Sequence, residues 1–306
     1  VNKDVELSRQ RISRRRALAL GGTISLGGLI AACSNGGGSG SSATAPATAA
    51  ASGGTVDAQL LALLDQAPRC VMAVEETQGP YWFDVDSIRN DIREDRPGLE
   101  LNLAMRVQDL TNCSPDGSAT GVANAVVEIW HCDAGGVYSG FESGSQAANQ
   151  GGGMGGGMGG GMGRPPQGGP GGGMGMGGSG ETSDGSYSVG DQEATTTDDG
   201  TYLRGAQTTD ADGIVKFTTV FPGWYTGRTV HIHLKVHIDK KTVLTTQLFF
   251  DDTFTDEILS TVSPYTDHTG RDTRNASDGI FDEAGLMATS RQSDRVLAAI
   301  NLGIDA

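Results

Sequence analysis

Residues 229–238 read TVHIHLKVHI, and they alternate without a break. Val230, Ile232, Leu234 and Val236 fall on one face of an extended chain, and His231, His233, Lys235 and His237 fall on the other, because successive side chains of a strand point to opposite sides. A period of two makes this a strand whose apolar row faces a core. Similar stretches recur. They are LELNLAMRV (99–107), AVVEIW (125–130), IVKFTTVF (214–221) and VLTTQLFF (243–250), with turn signals between them in TNCSPDGS (111–118), DADG (210–213) and DKKT (239–242). Several short strands punctuated by turns predict an all-β chain, an antiparallel β-sandwich core with long loops. Val56–Leu64 reads as a short helix, and the tail from Ser290 to Leu302 has helical spacing at Val296 and Ile300.

The 306 residues carry a net charge of −15, which disfavours nucleic acid and anionic membrane surfaces as partners. The basic groups are uneven. Lys3, Arg9, Arg11, Arg14, Arg15 and Arg16 precede an apolar run from Leu18 to Ala32 that is too short to span a bilayer. A positive segment followed by a short apolar one is an export signal, expected over 1–33. The paired arginines resemble a twin-arginine signal. The run closes as LIAAC (29–33), which resembles a lipoprotein cleavage box with lipid on Cys33. The expected location is therefore outside the cytoplasm of a bacterium, periplasmic or at the cell surface, held to a membrane only by an N-terminal lipid.

Residues 34–66 begin SNGGGSGSSATAPATAAASGGT and read as a flexible linker. The folded domain is expected over 67–306, interrupted by a low-complexity insertion at 144–180. That insertion includes GGGMGGGMGGGMGRPPQGGPGGGMGMGG and has too little apolar surface to fold. Its methionines (Met154, Met158, Met162, Met174, Met176) would be soft ligands for Cu(I), but the composition is that of a plain solvated loop. In an oxidising compartment a disulfide is expected. Cys113 and Cys132 flank a strand of about five residues that holds its ends roughly 16 Å apart, beyond disulfide reach. Cys70–Cys113 is the expected bridge.

The candidate site grows from the polar row of 229–238. His231 and His233 lie about 7 Å apart at Cα, close enough for both imidazoles to reach one ion. Alone, a His-x-His pair is a weak signal. Here Tyr225 ends the turn PGWY (222–225) just before it, and Tyr138 ends WHCDAGGVY (130–138) after an earlier strand. Phenolate is a hard, electron-rich donor, so two tyrosines with two histidines suit ferric iron better than Zn²⁺ or Cu⁺. His237 reads as pocket edge or surface and His131 as structural. Tyr81 and Trp82 read equally as substrate-pocket lining or core, and Asp251, Asp252, Asp256 and Glu257 as a solvated acidic face.

In that order, WHCDAGGVY, PGWY and RTVHIH (228–233) resemble the motifs of the intradiol ring-cleavage dioxygenases, the catechol and protocatechuate type. The resemblance runs from about Cys70 to Phe281 and includes TQGPYW (77–82), similar to a segment of exported relatives. It implies an Fe(III) cofactor held by Tyr138, Tyr225, His231 and His233, with Arg228 as an active-site arginine and Gln247 as a glutamine near the iron. It implies that a catechol binds through both oxygens, displacing Tyr225, whose released oxygen takes a proton. O2 then opens the ring between the hydroxylated carbons to a cis,cis-muconate-type diacid. The expected partners are an aromatic diol and O2, with self-association left open. The chain departs from the family in the long interval between Tyr138 and Tyr225 and in Thr229, where many members have proline. Two rival readings fit the same residues. One is a non-catalytic exported β-sandwich binding module of the same ancestry. The other is a different mononuclear metalloenzyme, such as a cupin-like oxygenase, but LKVHIDKKT after His233 lacks the glutamate a cupin would want.

Overall fold

The computed structural model describes residues 49–114, 118–145 and 182–305. The expected export signal with Cys33, the first part of the linker and nearly all of the Gly/Met tract lie outside the described residues. The elements in chain order are α1 (Ala49–Gln66), β1 (Glu100–Asp109), β2 (Thr120–Gly121), β3 (Val126–Trp130), β4 (Thr182–Asp184), β5 (Val189–Gln192), β6 (Arg204–Thr208), β7 (Ile214–Val220), β8 (His231–Ile238), β9 (Lys241–Phe249), α2 (Asp252–Thr261), β10 (Ala288–Arg291) and β11 (Arg295–Ile304).

Two sheets make the sandwich. The first runs β10-β11-β1, with β2 and β7 both pairing the far side of β1; the second runs β6-β3-β8-β9. Their facing rows form one core: Leu101, Leu103, Met105 and Val107 from β1, Val296, Ala298, Ile300 and Leu302 from β11, Val127 and Ile129 from β3, and Ile232, Leu234 and Val236 from β8. These are the apolar positions of the alternating patterns, so the sandwich is the arrangement the sequence predicts. One pair departs from antiparallel order, since β1 and β11 run parallel over all ten residues. The β8–β9 hairpin turns on Asp239 and Lys240, both at positive φ, the two-residue geometry whose twist matches that of the flanking strands.

Two expectations are corrected. The tail is strand, not helix. Val296 and Ile300 are four apart, a spacing that fits period two as well as a helix. Both faces of β11 are buried, the odd row under α1, so no polar alternation marks it. The linker also ends sooner than residue 66, because α1 occupies its second half. Leu60 and Leu64, one turn apart, pack on Ala104, Leu297 and Ala299 of the first sheet. Asn301 closes the end of the helix by donating from Nδ2 to the carbonyls of Leu64, Ala67 and Pro68, satisfying acceptors that a helix terminus leaves free. Cys70 and Cys113 form the expected disulfide with Cα atoms 6.0 Å apart, and Cys132 is a buried free thiol. Among the described residues no helix is long and apolar enough to cross a membrane.

Candidate metal centre

The outer face of the second sheet carries polar residues, yet it is buried. Glu128, Arg204, His231, His233, Lys235, His237 and Gln247 are each 2% exposed or less. The segment 77–83 and the β4–β5 hairpin help to cover them. His231 and His233 project from β8 as its alternation requires. His233 lies between Trp130 of β3 and Gln247 of β9 in the register, and the Trp130 ring stacks on its imidazole at 4.9 Å and 5°. Gly79, at φ +69°, passes so close that a Cβ there would sit 3.1 Å from His233 Cε1. The glycine of TQGPYW is needed for that approach.

The two tyrosines arrive on separate loops. After β3 the chain turns on Asp133, whose Oδ1 accepts from Gly135 N and Val137 N, and delivers Tyr138. Arg204, buried in β6, donates from Nε and Nη2 to the side chain and carbonyl of Ser139, fixing the residue after Tyr138. Tyr225 ends the turn after β7. Gly223 joins the two loops. Its N–H donates to the Asp133 carbonyl at 3.0 Å, and a Cβ on it would run into the backbone of Asp133 and Ala134. That contact brings Tyr138 and Tyr225 to one point despite the long interval between them in sequence.

Four donor atoms converge. His231 Nε2 is 3.1 Å from His233 Nε2, 3.2 Å from Tyr225 Oη and 3.4 Å from Tyr138 Oη. Ligands each about 2 Å from one ion, at angles of about 90–110°, stand about 3 Å apart, so this spacing fits a mononuclear metal. The His231 tautomer fits as well. Its Nδ1–H donates to the Thr229 carbonyl at 2.6 Å, which leaves the Nε2 lone pair turned into the cluster. Among the described residues no group of three or more His, Cys, Asp and Glu could hold a metal. A metal here would depend on the phenols.

The electrostatics agree with a cation-seeking site. Burial, then Arg228, holds His231 well below the usual imidazole range. Burial, then His231, does the same for His233. Both stay neutral, the form that binds metal. Burial pushes both phenols above their ordinary value, with Tyr225 adding to the rise of Tyr138, while Arg228 pulls Tyr225 partly back. Ionised phenolates would need a cation between them. Arg228 places Nη1 3.3 Å from His231 Nε2 and donates from Nη2 to Gln247 Oε1 at 2.5 Å. Gln247 is held in turn by donating from Nε2 to the Thr77 carbonyl at 2.9 Å.

The remaining candidates fall beside this cluster. Tyr81 stacks on Tyr138 at 4.6 Å and leans on Phe141. Trp82 is fully buried. It donates from Nε1 to Glu128 Oε2, lies under Lys235 Nζ and packs against Trp130. His237 Nε2 is 3.2 Å from Glu128 Oε2, and His131 bridges the Cys132 carbonyl and Thr219 Oγ1. The acidic stretch is not simply solvated. Asp251 caps α2 by accepting from Phe254 N, and Asp252 and Asp256 pair with Arg271. Sequence reasoning missed the cluster behind Trp82, in which buried Glu128 and Lys235 meet the half-buried Asp191, the Arg204 brace and Asp278 beside Arg228. No motif marks them, and only the fold brings them in.

No family model matches the chain, and no curated protein matches it. Solved structures do. An intradiol ring-cleavage dioxygenase from Tetranychus urticae is 29% identical, with a TM-score of 0.56 over 77% of this chain and 95% of its own. A second dioxygenase is 28% identical, with a TM-score of 0.57 over 78% of this chain and 95% of its own. The chain is thus similar in structure to the family that its motifs resemble.

Proposed function

We propose that this protein is a non-haem ferric dioxygenase. It opens the ring of a catechol-type substrate between its two hydroxylated carbons, and both atoms of O2 enter the cis,cis-muconate-type diacid product. The reading is carried by one observation: two phenol oxygens and an imidazole nitrogen gather 3.1–3.4 Å from His231 Nε2. The similarity to intradiol dioxygenases at 28–29% identity supports it.

Tyr138, Tyr225, His231 and His233 would hold the iron. Bound ferric iron supplies Lewis acidity and a path for electron density from the ring to O2. The chain's own groups do the rest. Tyr225, 6% exposed where Tyr138 is fully buried, would be ionised once it holds the iron, and as a phenolate its Oη would take the proton of a catechol hydroxyl. Arg228 Nη1, beside His231, faces the negative charge that grows on the substrate and stabilises it without reorganising. Gln247 holds the guanidinium in that orientation. Tyr81, stacked on Tyr138 and backed by Phe141, keeps water from the Tyr138 oxygen. The Cys70–Cys113 disulfide suits an oxidising compartment and supports export, with lipid on Cys33 as the anchor.

The test is O2 uptake by iron-loaded protein on catechol, protocatechuate, hydroxyquinol and chlorinated catechols. At least one diol is consumed with one O2 per ring, and Tyr225→Phe and His231→Ala lose the activity. Iron-loaded protein that consumes no O2 with any of them refutes the reading.

A further inference from the structure

The Arg228 guanidinium is gripped on every edge. Nη1 faces His231 Nε2, Nη2 donates to Gln247 Oε1, and Nε donates to Asp278 Oδ2 at 2.9 Å. The Asp278 side chain is 1% exposed. Its Oδ2 also accepts from the Thr229 backbone N–H at 2.7 Å, and its Oδ1 accepts from Ile280 N at 2.8 Å. One carboxylate therefore holds both the side chain of residue 228 and the peptide of residue 229. The Thr229 carbonyl is the acceptor that sets the His231 tautomer. Proline at 229, found in many members of the resembled family, would have no N–H to offer. The Thr229 side chain adds a second tie, since Oγ1 donates to Asn275 Oδ1 at 2.6 Å and accepts from Arg271 Nη2 at 2.8 Å. Asn275 is itself anchored by donating from Nδ2 to the Phe250 carbonyl.

We propose that Asp278 is a positioning residue that acts through Arg228. By binding Arg228 Nε and the Thr229 N–H together, it fixes the guanidinium against the His231 side of the metal centre. The role rests on the proposed dioxygenase reading. The physical reason is geometric. Guanidinium is planar, and anchoring its Nε edge sets where Nη1 points. Removing the anchor frees the plane to rotate, and a small misplacement of a charge-stabilising group costs rate more than binding.

The experiment is a double-mutant cycle on iron-loaded protein with Asp278→Asn, Arg228→Met and the double variant. It reads kcat and KM on catechol and the Kd of 4-nitrocatechol from its visible absorption. Asp278→Asn is expected to lower kcat roughly 10- to 100-fold with little change in KM. In the Arg228→Met background it should cost no more than about twofold. Iron stoichiometry and the charge-transfer band of the resting protein should not change. An equal loss in both backgrounds overturns the proposal, and so does loss of iron from Asp278→Asn alone. If Asp278→Asn does not fold, Asp278→Glu, which keeps the charge but shifts it by a methylene, takes its place in the cycle with the same two outcomes. Wild-type protein that binds 4-nitrocatechol at iron without turnover refutes the proposed activity. The positioning is then read from the visible absorption of bound 4-nitrocatechol, which Asp278→Asn should shift in the parent and leave unchanged in the Arg228→Met background; the same result in both backgrounds overturns the positioning role separately.

Discussion

The two sheets bury their outer faces in opposite ways. The first sheet turns Ala104, Leu297 and Ala299 outward and covers them with Leu60 and Leu64 of α1. That face is apolar, and its burial stabilises in proportion to the area removed from water. The second sheet turns Glu128, His231, His233, Lys235, His237 and Gln247 outward and buries them as completely. Desolvating such groups costs free energy unless each finds a partner. Most do: Lys235 pairs with Asp191, and His237 lies against Glu128. The exception is the cluster around His231 Nε2, where the donor atoms mainly face one another, and among the described residues His233 Nδ1 has no partner. One face is buried at a gain, the other at a cost that an ion would offset.

The sharpest way to break the comparison is to empty the polar face of its ligand. His231→Ala is expected to lower ring cleavage by about a thousandfold or more, because it removes the atom around which the other donors gather. Its melting temperature without metal should stay near that of the parent. A large apo destabilisation would show that His231 serves the fold instead. The apolar face should answer in reverse. Leu64→Ala leaves a cavity under α1 and should cost about 2–5 kcal/mol in denaturant unfolding. Activity per folded molecule should be unchanged, and a change in kcat would mean that the two faces are coupled. Reducing the Cys70–Cys113 bridge, which closes an interval of 43 residues, should cost about 2–4 kcal/mol, measured with and without reductant.

The last effect concerns protons and unfolds gradually with pH. Burial lowers His131 to about 4. Between that value and the unfolded imidazole near 6.5, the unfolded chain binds a proton that the folded one does not, so stability rises with pH. The contribution of His131 is full above about 6.5 and is lost as pH falls toward 4, about 3 kcal/mol in all. Melting of metal-free parent and of His131→Gln should therefore diverge by that amount across the window, against the opposite slope of Asp84 and Glu193, which burial raises to about 6 and about 7. An unchanged slope would mean that His131 does not carry it.

Much of this was legible in the sequence, for a physical reason. β1, β3, β7, β8 and β9 each keep a core-facing alternation, and period two survives reading without coordinates. β11 does not, because helix and sheet bury both of its faces and the polar beat disappears. β6 reads RGAQT, where a buried arginine and a glycine hide a central position in the site. Tyr138, Tyr225, His231 and His233 stood out as a donor set. What joined them was not visible, since the Gly223 contact with the Asp133–Ala134 backbone exists only once the loops are packed. Asp278 lies 50 residues beyond Arg228, in a stretch without alternation or motif, and its role is entirely a matter of contact.

The proposed centre holds one ferric ion between two phenolates and two imidazoles. The most direct measurement is the metal content and visible spectrum of the purified, iron-loaded protein. One iron per chain is expected, with a broad tyrosinate-to-iron absorption that colours the protein. That band should weaken in both Tyr138→Phe and Tyr225→Phe and shift when a catechol is added. A colourless protein carrying zinc at full occupancy, or an iron protein whose spectrum ignores both tyrosine substitutions, would contradict it.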